Sequence, residues 1–439
     1  METKSLLVDV PDGTSFEGVA RLIGKRNMGK ICFCDARFQE NQAQLVFNRR
    51  ELLNYSDLAK APLGSLLYII GNKIVTIVGT PSIEVKEAEL LFSSEGFWPD
   101  KYHGLNQPIR YRNRVYDLLI NQDAFIFFKK MSLALSIIRS TLYERSFHEF
   151  ITGVLQETFE AGQAHSFSTL CRANGKDLYL SLTSELKLKR LIVAGFERVF
   201  EIAQSFRNEG IDSIHSPEFT MLEIYEVGSD CGLMMKLLEE IVHRVVQECE
   251  GGNSVPYFKE GCEMPVLVSY AKPFLRISFR QSFEEMVGPW DNCELEKLSK
   301  IYPDLFNNKM TRFTWLMKVI EKLIVPNIVA PTFLTDLPAG MSPFVRNNDE
   351  VTSDRSFLIT QGTFLADIYS DENDFSKLSL ALKKQADEIG TNQNSDYLDI
   401  IKMGIPKTAG IGMGLNRLLM LLLHELPCNI KETILYPIL

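Results

Sequence analysis

Residues 206–225 constrain the fold of this 439-residue chain more than any other segment. Arg207 and Glu209 stand two positions apart before a glycine-containing loop, and an apolar run that includes Phe219, Glu223 and Tyr225 follows the loop. Alternate residues of a β-strand point to the same face. The pattern therefore predicts a hairpin with an arginine, carboxylates, an aromatic ring and a phenol on one face. A plain surface strand would leave the apolar members of that face exposed, so the pattern favours a binding site.

Short β-type runs fill the first 110 residues, separated by Gly, Asn and Pro. These runs are residues 31–34, 44–47, 67–70 and 74–77. About five short strands in this length are typical of a small closed barrel such as an OB-fold. The sequence therefore predicts an OB-fold domain over residues 1–110, with Cys32 and Cys34 filling the barrel.

The rest of the chain has a different pattern. A long helix is predicted over residues 121–146, where apolar residues recur at helical spacings of three and four. The residues that carry this periodicity are Phe125, Phe128, Met131, Leu135 and Ile138. Strands and helices then alternate irregularly, which predicts an α+β domain built on an antiparallel sheet over residues 111–439. Neither a dinucleotide-binding nor a P-loop glycine motif occurs.

Charge and composition exclude several classes of protein. The formal net charge is -9, and all of it lies in residues 111–439, because residues 1–110 hold equal numbers of acidic and basic side chains. A protein coated with basic residues is excluded, whereas a local basic surface is not. No apolar run approaches the roughly 20 residues that span a bilayer. The eight cysteines and the histidines show no metal-ligand spacing, so we expect a cytoplasmic protein with reduced thiols and no membrane partner.

Several segments resemble one family. Residues 206–225 resemble motif 2 of class II aminoacyl-tRNA synthetases, specifically lysyl-tRNA synthetases, and residues 410–418 resemble motif 3. Further matches are residues 103–105, 110–112, 189–202, 331–334 and 342–343. The resemblance covers nearly the whole chain, and it implies an N-terminal anticodon-binding OB-fold, a class II catalytic domain and a homodimer.

The resemblance implies ATP-dependent activation of lysine and its ligation to tRNA(Lys), with ATP and Mg²⁺ as cofactors. Arg207 resembles the catalytic arginine that holds the α-phosphate and the amino-acid carboxylate, and Arg417 the one that clamps the γ-phosphate. Negative charge builds on the phosphate during activation, so positioned cations are the groups this reaction needs. The full set of implied ATP-binding residues is Arg207, Glu209, His215, Phe219, Gly414 and Arg417. Gly410, Gly412 and Gly414 are expected to let the backbone approach the nucleotide closely.

The resemblance also implies two further groups of residues. Glu185 resembles the carboxylate that receives the α-amino group of lysine, and a buried ε-ammonium needs oxygen partners. The implied amino-acid-binding residues are Glu185, Glu223, Tyr225, Asp367, Tyr369 and Asp371. The implied tRNA-binding residues of the barrel are Arg21, Phe33 and Gln44, near the basic residues Lys25, Arg26 and Lys30 of one predicted loop.

The chain departs from the family pattern at several positions. Phe357 and Phe364 stand where the resemblance implies two glutamates that bind the Mg²⁺ ions, and phenylalanine offers no oxygen to a hard cation. Other departures are Gly153, residues 160–161, Ser181, Asp367, Asp371 and Asn416. Asp367 could supply one oxygen to a metal. Two alternatives to lysine charging follow: a paralogue that adenylates lysine or an analogue for a different acceptor, or a tRNA-binding protein with impaired catalysis.

Overall fold

The computed structural model describes residues 7, 10–38, 41–96, 98, 106–158, 165–258, 264–290, 294–306, 310–389, 395–421 and 429–438. Contacts divide the chain into two compact units, residues 1–126 and 127–438. The domain boundary at residue 110 stays a prediction. The family match at residues 103–105 and the departure at residues 160–161 lie outside the described residues. In the part of the chain that is described, no helix is long and apolar enough to cross a membrane.

The first unit contains a closed five-stranded barrel, as predicted. Its strands are β1 (Ser15–Asn27), β2 (Ile31–Phe38), β3 (Asn41–Asn48), β4 (Leu66–Val75) and β5 (Pro81–Phe92). The order around the barrel is β1-β2-β3-β5-β4, and helix α1 (Tyr55–Lys60) connects β3 to β4. Only β3 and β5 run parallel. This closed order is the topology of an OB-fold.

Side chains from alternate strand positions fill the barrel. Cys32 and Cys34 are fully buried there, as predicted, and neither forms a disulfide. The predicted separate strand at residues 74–77 is wrong. β4 continues through Gly71 to Val75, because β5 pairs with it on both sides of this glycine. The two strands lie so close there that a side chain at position 71 would overlap the Glu84 carbonyl. Residues 76–80 then form a turn.

Three helices follow the barrel in the chain. They are α2 (Gln107–Arg112), α3 (Arg114–Ile120) and α4 (Gln122–Glu144). α4 confirms the helix predicted over residues 121–146. Its most buried stripe includes Phe127, Ala134 and Ile138. Ile138 was predicted, whereas Phe127 and Ala134 each precede a predicted residue by one position. Lys130 also lies on that stripe, where its ammonium pairs with Glu250 at 2.8 Å.

The second unit is built on one eight-stranded sheet. Its strand order is β14-β15-β16-β17-β18-β11-β10-β6. These strands are β14 (Leu275–Ser278), β15 (Thr332–Thr335), β16 (Arg355–Thr360), β17 (Thr363–Ser370), β18 (Thr408–Gly414), β11 (Glu218–Val227), β10 (Arg198–Phe206) and β6 (His148–Glu149). The predicted antiparallel sheet is present from β15 to β10, and the two edge pairs are parallel. Two small sheets accompany it: β12 (Ser254–Tyr257) with β13 (Val266–Ser269), and β7 (Leu155–Gln156), β9 (Lys176–Leu180) and β8 (Ser168–Cys171).

The remaining helices pack around this sheet. They are α5 (Glu185–Val193), α6 (Cys231–Glu250), α7 (Phe279–Met286), α8 (Leu295–Ile301), α9 (Arg312–Val319), α10 (Phe375–Ile389), α11 (Ser395–Ile401) and α12 (Leu415–Met420). One face of the sheet, which includes Leu222, Ile224 and Ile368, forms the main hydrophobic core with α6. Because side chains alternate along a strand, the other face is left to Glu223, Tyr225 and their neighbours.

Candidate active site

Two rows of residues cross the polar face of the sheet. Antiparallel pairing places directly opposed residues on the same face. The first row is Phe357, Asp367, Gly412 and Glu223, and the second is Arg355, Tyr369, Gly410 and Tyr225. β17, β18 and β11 thus bring together four of the six predicted amino-acid-binding residues, namely Glu223, Tyr225, Asp367 and Tyr369. The fifth, Asp371, directly follows β17. The sixth, Glu185, begins helix α5, which contacts β11.

Glycines in β18 make room for this pocket. A side chain at Gly410 would overlap the ring of Tyr225, and a Cβ at Gly412 would lie 3.3 Å from Glu223 Oε2. These two glycines therefore have a packing role within the chain, and the expectation that they let the backbone approach the nucleotide stays a prediction. At Gly414 an added Cβ would meet only methylene groups of Arg417, at 3.8 Å or more.

Glu223 is a buried carboxylate with two neutral hydrogen-bond donors. Thr183 Oγ1 donates to Oε1 at 2.6 Å, and the Tyr225 hydroxyl donates to Oε2 at 3.0 Å. Burial and the nearby charge of Glu185 raise the pKa of Glu223 to about 8, and the two hydrogen bonds only partly oppose that rise. A cation bound beside this buried carboxylate would favour its ionised form and lower its pKa.

The same pocket contains an ammonium group of the chain itself, which was not predicted from the sequence. Lys189 Nζ lies 2.7 Å from Glu185 Oε1, 2.6 Å from Asp371 Oδ1 and 3.3 Å from the Tyr369 hydroxyl. Burial lowers the pKa of this lysine, but the charges of Asp371 and Glu185 outweigh burial and hold it well above its ordinary value. The lysine is therefore charged at neutral pH.

Asp367 is paired with Arg355 rather than free. Arg355 Nε and Nη2 donate to the two carboxylate oxygens of Asp367 at 2.9 and 2.6 Å. This forked geometry is the strongest that an arginine and a carboxylate form. Asp367 therefore already has a cationic partner within the chain, and an oxygen that it supplied to a metal would be shared with Arg355.

The nucleotide half of the site contains two guanidinium groups. β10 ends at Phe206, so Arg207 and Glu209 lie in the following loop and not, as predicted, on one strand face. The Arg207 guanidinium lies 5.2 Å from the centre of the Phe219 ring, and its buried Nε has no hydrogen-bond partner among the described residues. Burial lowers the pKa of Arg417, and the charge of Arg207 lowers it further. An anion bound to both guanidinium groups would offset this repulsion.

Two of the other predicted ATP-binding residues lie in exposed positions. His215 and Glu209 are exposed in the loop between β10 and β11. Asp212 fixes the ring of His215, because its Oδ2 lies 2.8 Å from Nδ1. Nε2 is then the ring nitrogen that faces away from this contact.

Three of the family departures have structural partners. Lys187 Nζ donates to the Gly153 carbonyl at 2.6 Å and to Ser181 Oγ at 3.2 Å. Asn416 accepts from the Thr220 amide at 2.7 Å, which ties the start of α12 to β11. These residues hold the loops and strands around the site.

The positions implied for metal ligands are apolar. Phe357 is fully buried, and its ring meets that of Phe364 edge to face at 4.8 Å between centres. The Arg417 guanidinium donates to the Phe364 carbonyl at 3.2 Å. In the described part of the chain, no group of three or more His, Cys, Asp or Glu side chains could hold a metal ion. The residues present therefore do not fit the Mg²⁺ ions that the resemblance implies.

The three predicted tRNA-binding residues share the outer face of the barrel. In β2, Cys32 and Cys34 point inward, so Phe33 points outward and is half-buried. Asp35 and Arg37 of β2 point outward like Phe33, because side chains alternate along a strand. Gln44 of β3 pairs with Asp35, and Arg21 of β1 pairs with Arg37, so both lie on the same outer face.

Two of the three basic residues near this face are placed differently from the prediction, whereas Lys30 lies in the loop between β1 and β2. Lys25 and Arg26 belong to β1 and not to a loop. The ammonium of Lys25 donates to two carbonyls of the barrel.

Sequence reasoning missed four residues of the site: Thr183, Lys189, Phe344 and Arg355. The spacing of Lys189 four residues after Glu185 on a helix was an available signal for their ion pair. No local pattern connects Lys189 to Asp371 or Arg355 to Asp367, because these pairs form across strands and helices.

A family model places this site in a known class. The model for tRNA synthetases of class II (D, K and N) matches residues 106–439. The chain therefore belongs to the class II tRNA synthetases.

Relatives with established names narrow the class. The chain is 33% identical over 446 residues to the lysine–tRNA ligase of Prochlorococcus marinus, which covers 95% of this chain and 85% of that protein. It is 34% identical over 435 residues to the lysine–tRNA ligase of Methanospirillum hungatei (95% and 84% covered). It is 31% identical over 441 residues to that of Buchnera aphidicola (95% and 85%). The similarity to lysine–tRNA ligases thus extends over nearly the whole chain.

Proposed function

We propose that this chain activates lysine with ATP and ligates it to tRNA(Lys). A lysine carboxylate oxygen attacks the α-phosphorus of ATP, and pyrophosphate leaves. The 3′-terminal hydroxyl of the tRNA then attacks the lysyl carbonyl, and AMP leaves. The names of the relatives support this reaction, and nothing in the comparisons supports either alternative predicted from the sequence.

One observation carries the proposal: a buried acidic pocket lies on the polar face of the sheet, and two arginines flank that sheet, Arg207 in the loop that follows β10 and Arg417 in helix α12 directly after β18. Glu223 lies in the pocket without a cationic partner among the described residues, which suits an incoming ammonium. Arg207 has an unpartnered Nε, which suits the carboxylate or the α-phosphate. Arg417 is positioned beside it to balance the remaining phosphate charge.

Tyr225 and Glu223 also supply selectivity in this proposal. A neutral amino-acid side chain would leave the buried Glu223 carboxylate without a charge partner, and such unpaired groups give strong discrimination. Phe219 offers a flat apolar surface on which the adenine ring would stack, with Arg207 against the same ring.

Further parts of the proposal follow the resemblance. Phe33, Gln44 and Arg21 are proposed to bind the anticodon on the outer barrel face, where a base stacks on the Phe33 ring. A homodimer and a cytoplasmic location stay predictions. Mg²⁺ would accompany the ATP phosphates, but the chain assigns no ligands to it, and no step depends on it here.

ATP–pyrophosphate exchange with a panel of amino acids tests the proposal. Exchange is expected with lysine and not with norleucine, which lacks the ε-ammonium. Arg207→Ala should abolish exchange, whereas Arg280→Ala, a surface arginine paired with Glu284, should not. Exchange that survives in Arg207→Ala, or that occurs with norleucine as readily as with lysine, would remove the proposal.

A further inference from the structure

The amino-acid pocket contains an ammonium group of its own. Lys189 is fully enclosed, with a side chain 1% exposed. The three N–H groups of an ammonium match the three oxygens around it, which belong to Glu185, Asp371 and the Tyr369 hydroxyl. The rings of Tyr225, Phe344 and Tyr369 surround the same nitrogen at 5.0–5.3 Å from their centres. Oxygens and aromatic rings of this kind are the groups that bind an ammonium ion, and here they surround a lysine of the chain itself.

Lys189 changes how many charges the pocket can accept from a ligand. The pocket contains four carboxylates, those of Glu185, Glu223, Asp367 and Asp371. Arg355 neutralises Asp367, and Lys189 neutralises one charge of the Glu185 and Asp371 pair. When all carboxylates are ionised, two negative charges are left over.

The uncompensated charge has identifiable positions. Glu223 is 3% exposed and accepts only from two hydroxyl groups. Asp371 is also 3% exposed, and its Oδ2 has no hydrogen-bond partner in the described part of the chain. Glu185 uses Oε1 for Lys189 and for the Tyr369 hydroxyl. Two separate places for a donor therefore stay open, one at Glu223 and one beside Asp371 and Glu185.

We propose that Lys189 is a positioning residue that sets the charge capacity of the pocket at two substrate ammonium groups. Its ammonium holds Glu185 and Asp371 side by side, so that together they present one net charge to the α-ammonium of the ligand. Glu223 presents the second charge to the side-chain ammonium. The inference rests on the proposed function for the identity of the ligand, and it explains why a diamino acid matches the pocket whereas a neutral side chain does not.

Removal of Lys189 should upset this balance in a way that a second change restores. In Lys189→Met, Glu185 and Asp371 face each other without a cation and retain a proton, which competes with the ligand. In Asp371→Asn, Lys189 neutralises Glu185 completely and one place for an ammonium is lost. The double variant Lys189→Met/Asp371→Asn again leaves two negative charges.

Isothermal titration of the full chain with lysine, without ATP, measures the effect. Each single variant should bind lysine at least about 30-fold more weakly, as expected when one member of a buried charge pair is removed. The double variant should bind more tightly than either single variant. Lys130→Met removes a buried ion pair in α4 and serves as the control, with unchanged lysine affinity.

Each outcome bears on the inference. Wild-type affinity in Lys189→Met or in the nearly isosteric Asp371→Asn, or a double variant no tighter than Asp371→Asn, would overturn it. If Lys189→Met does not fold, the comparison of the double variant with Asp371→Asn still decides. A wild-type chain that binds lysine but lacks pyrophosphate exchange removes the proposed function alone. If pyrophosphate exchange with lysine is unchanged in these variants, the inference about Lys189 is wrong and the proposed function is still supported.

Discussion

Glu223→Gln should stabilise the unliganded protein at alkaline pH while it removes lysine binding. Glu223 has a pKa of about 8 in the folded chain against an ordinary value of 4.5, chiefly because it is buried. The folded state therefore holds a proton that the unfolded state has lost between these values. The stability contributed by this proton is complete below pH 4.5 and is lost as the pH rises through 8.

The pKa difference sets the size of the effect. At about 1.4 kcal/mol per pKa unit, full ionisation of Glu223 costs the folded state about 3–5 kcal/mol. Glutamine has the same shape and never ionises, so the variant avoids this cost. We expect similar free energies of unfolding for the two proteins at pH 5, and a variant more stable by about 3 kcal/mol at pH 9.

Urea unfolding at pH 5, 7 and 9 measures this difference. Tryptophan fluorescence is a suitable probe because Trp290 and Trp315 lie in the second unit. Glu239→Gln, at another buried carboxylate of the second unit, which accepts a backbone N–H from Phe274, is the matched control for the substitution itself. Parallel pH profiles for Glu223→Gln and the wild type would refute the reasoning, because they would mean that Glu223 ionises in the folded state at no cost.

Three further predictions concern other parts of the molecule. Phe33→Ala should weaken tRNA binding by about 1–3 kcal/mol in filter binding, and unchanged affinity would remove Phe33 from the interface. Phe357→Ala should lower the free energy of unfolding by about 3–5 kcal/mol because the ring is fully buried; a smaller loss in urea unfolding would contradict the packing described. Gly410→Ala should cost about 1–3 kcal/mol and weaken lysine binding because the Tyr225 ring must move, whereas Gly252→Ala, with open space around it, should change neither quantity.

Much of the architecture could be predicted because it depends on short-range patterns. Strand alternation in residues 219–225 correctly places Phe219, Glu223 and Tyr225 on one face, since period-two alternation is a property of the strand itself. The long helix and the barrel follow from equally local periodicities and turn residues. The motifs were also sufficient to identify the family, because they combine residue type with spacing along the chain.

Other features needed the folded chain. The end of β10 at Phe206, the parallel edges of the sheet and the passage of β4 through Gly71 depend on how strands pair, and pairing is a property of two segments at once. The packing role of Gly410 could not be predicted for the same reason: only the register of β18 against β11 places it under the ring of Tyr225.

The sequence by itself determined the strand that carries Glu223 and Tyr225, the barrel and the membership in a family of ligases. Only the tertiary structure decided which charges of the site are already paired. Lys189 and Asp371 lie far apart in the chain, but Lys189 Nζ lies 2.6 Å from Asp371 Oδ1 in the folded protein. Both carboxylate oxygens of Asp367 accept hydrogen bonds from Arg355. Local patterns extend over a few residues, whereas the free energy of a buried charge depends on every group that folding brings around it.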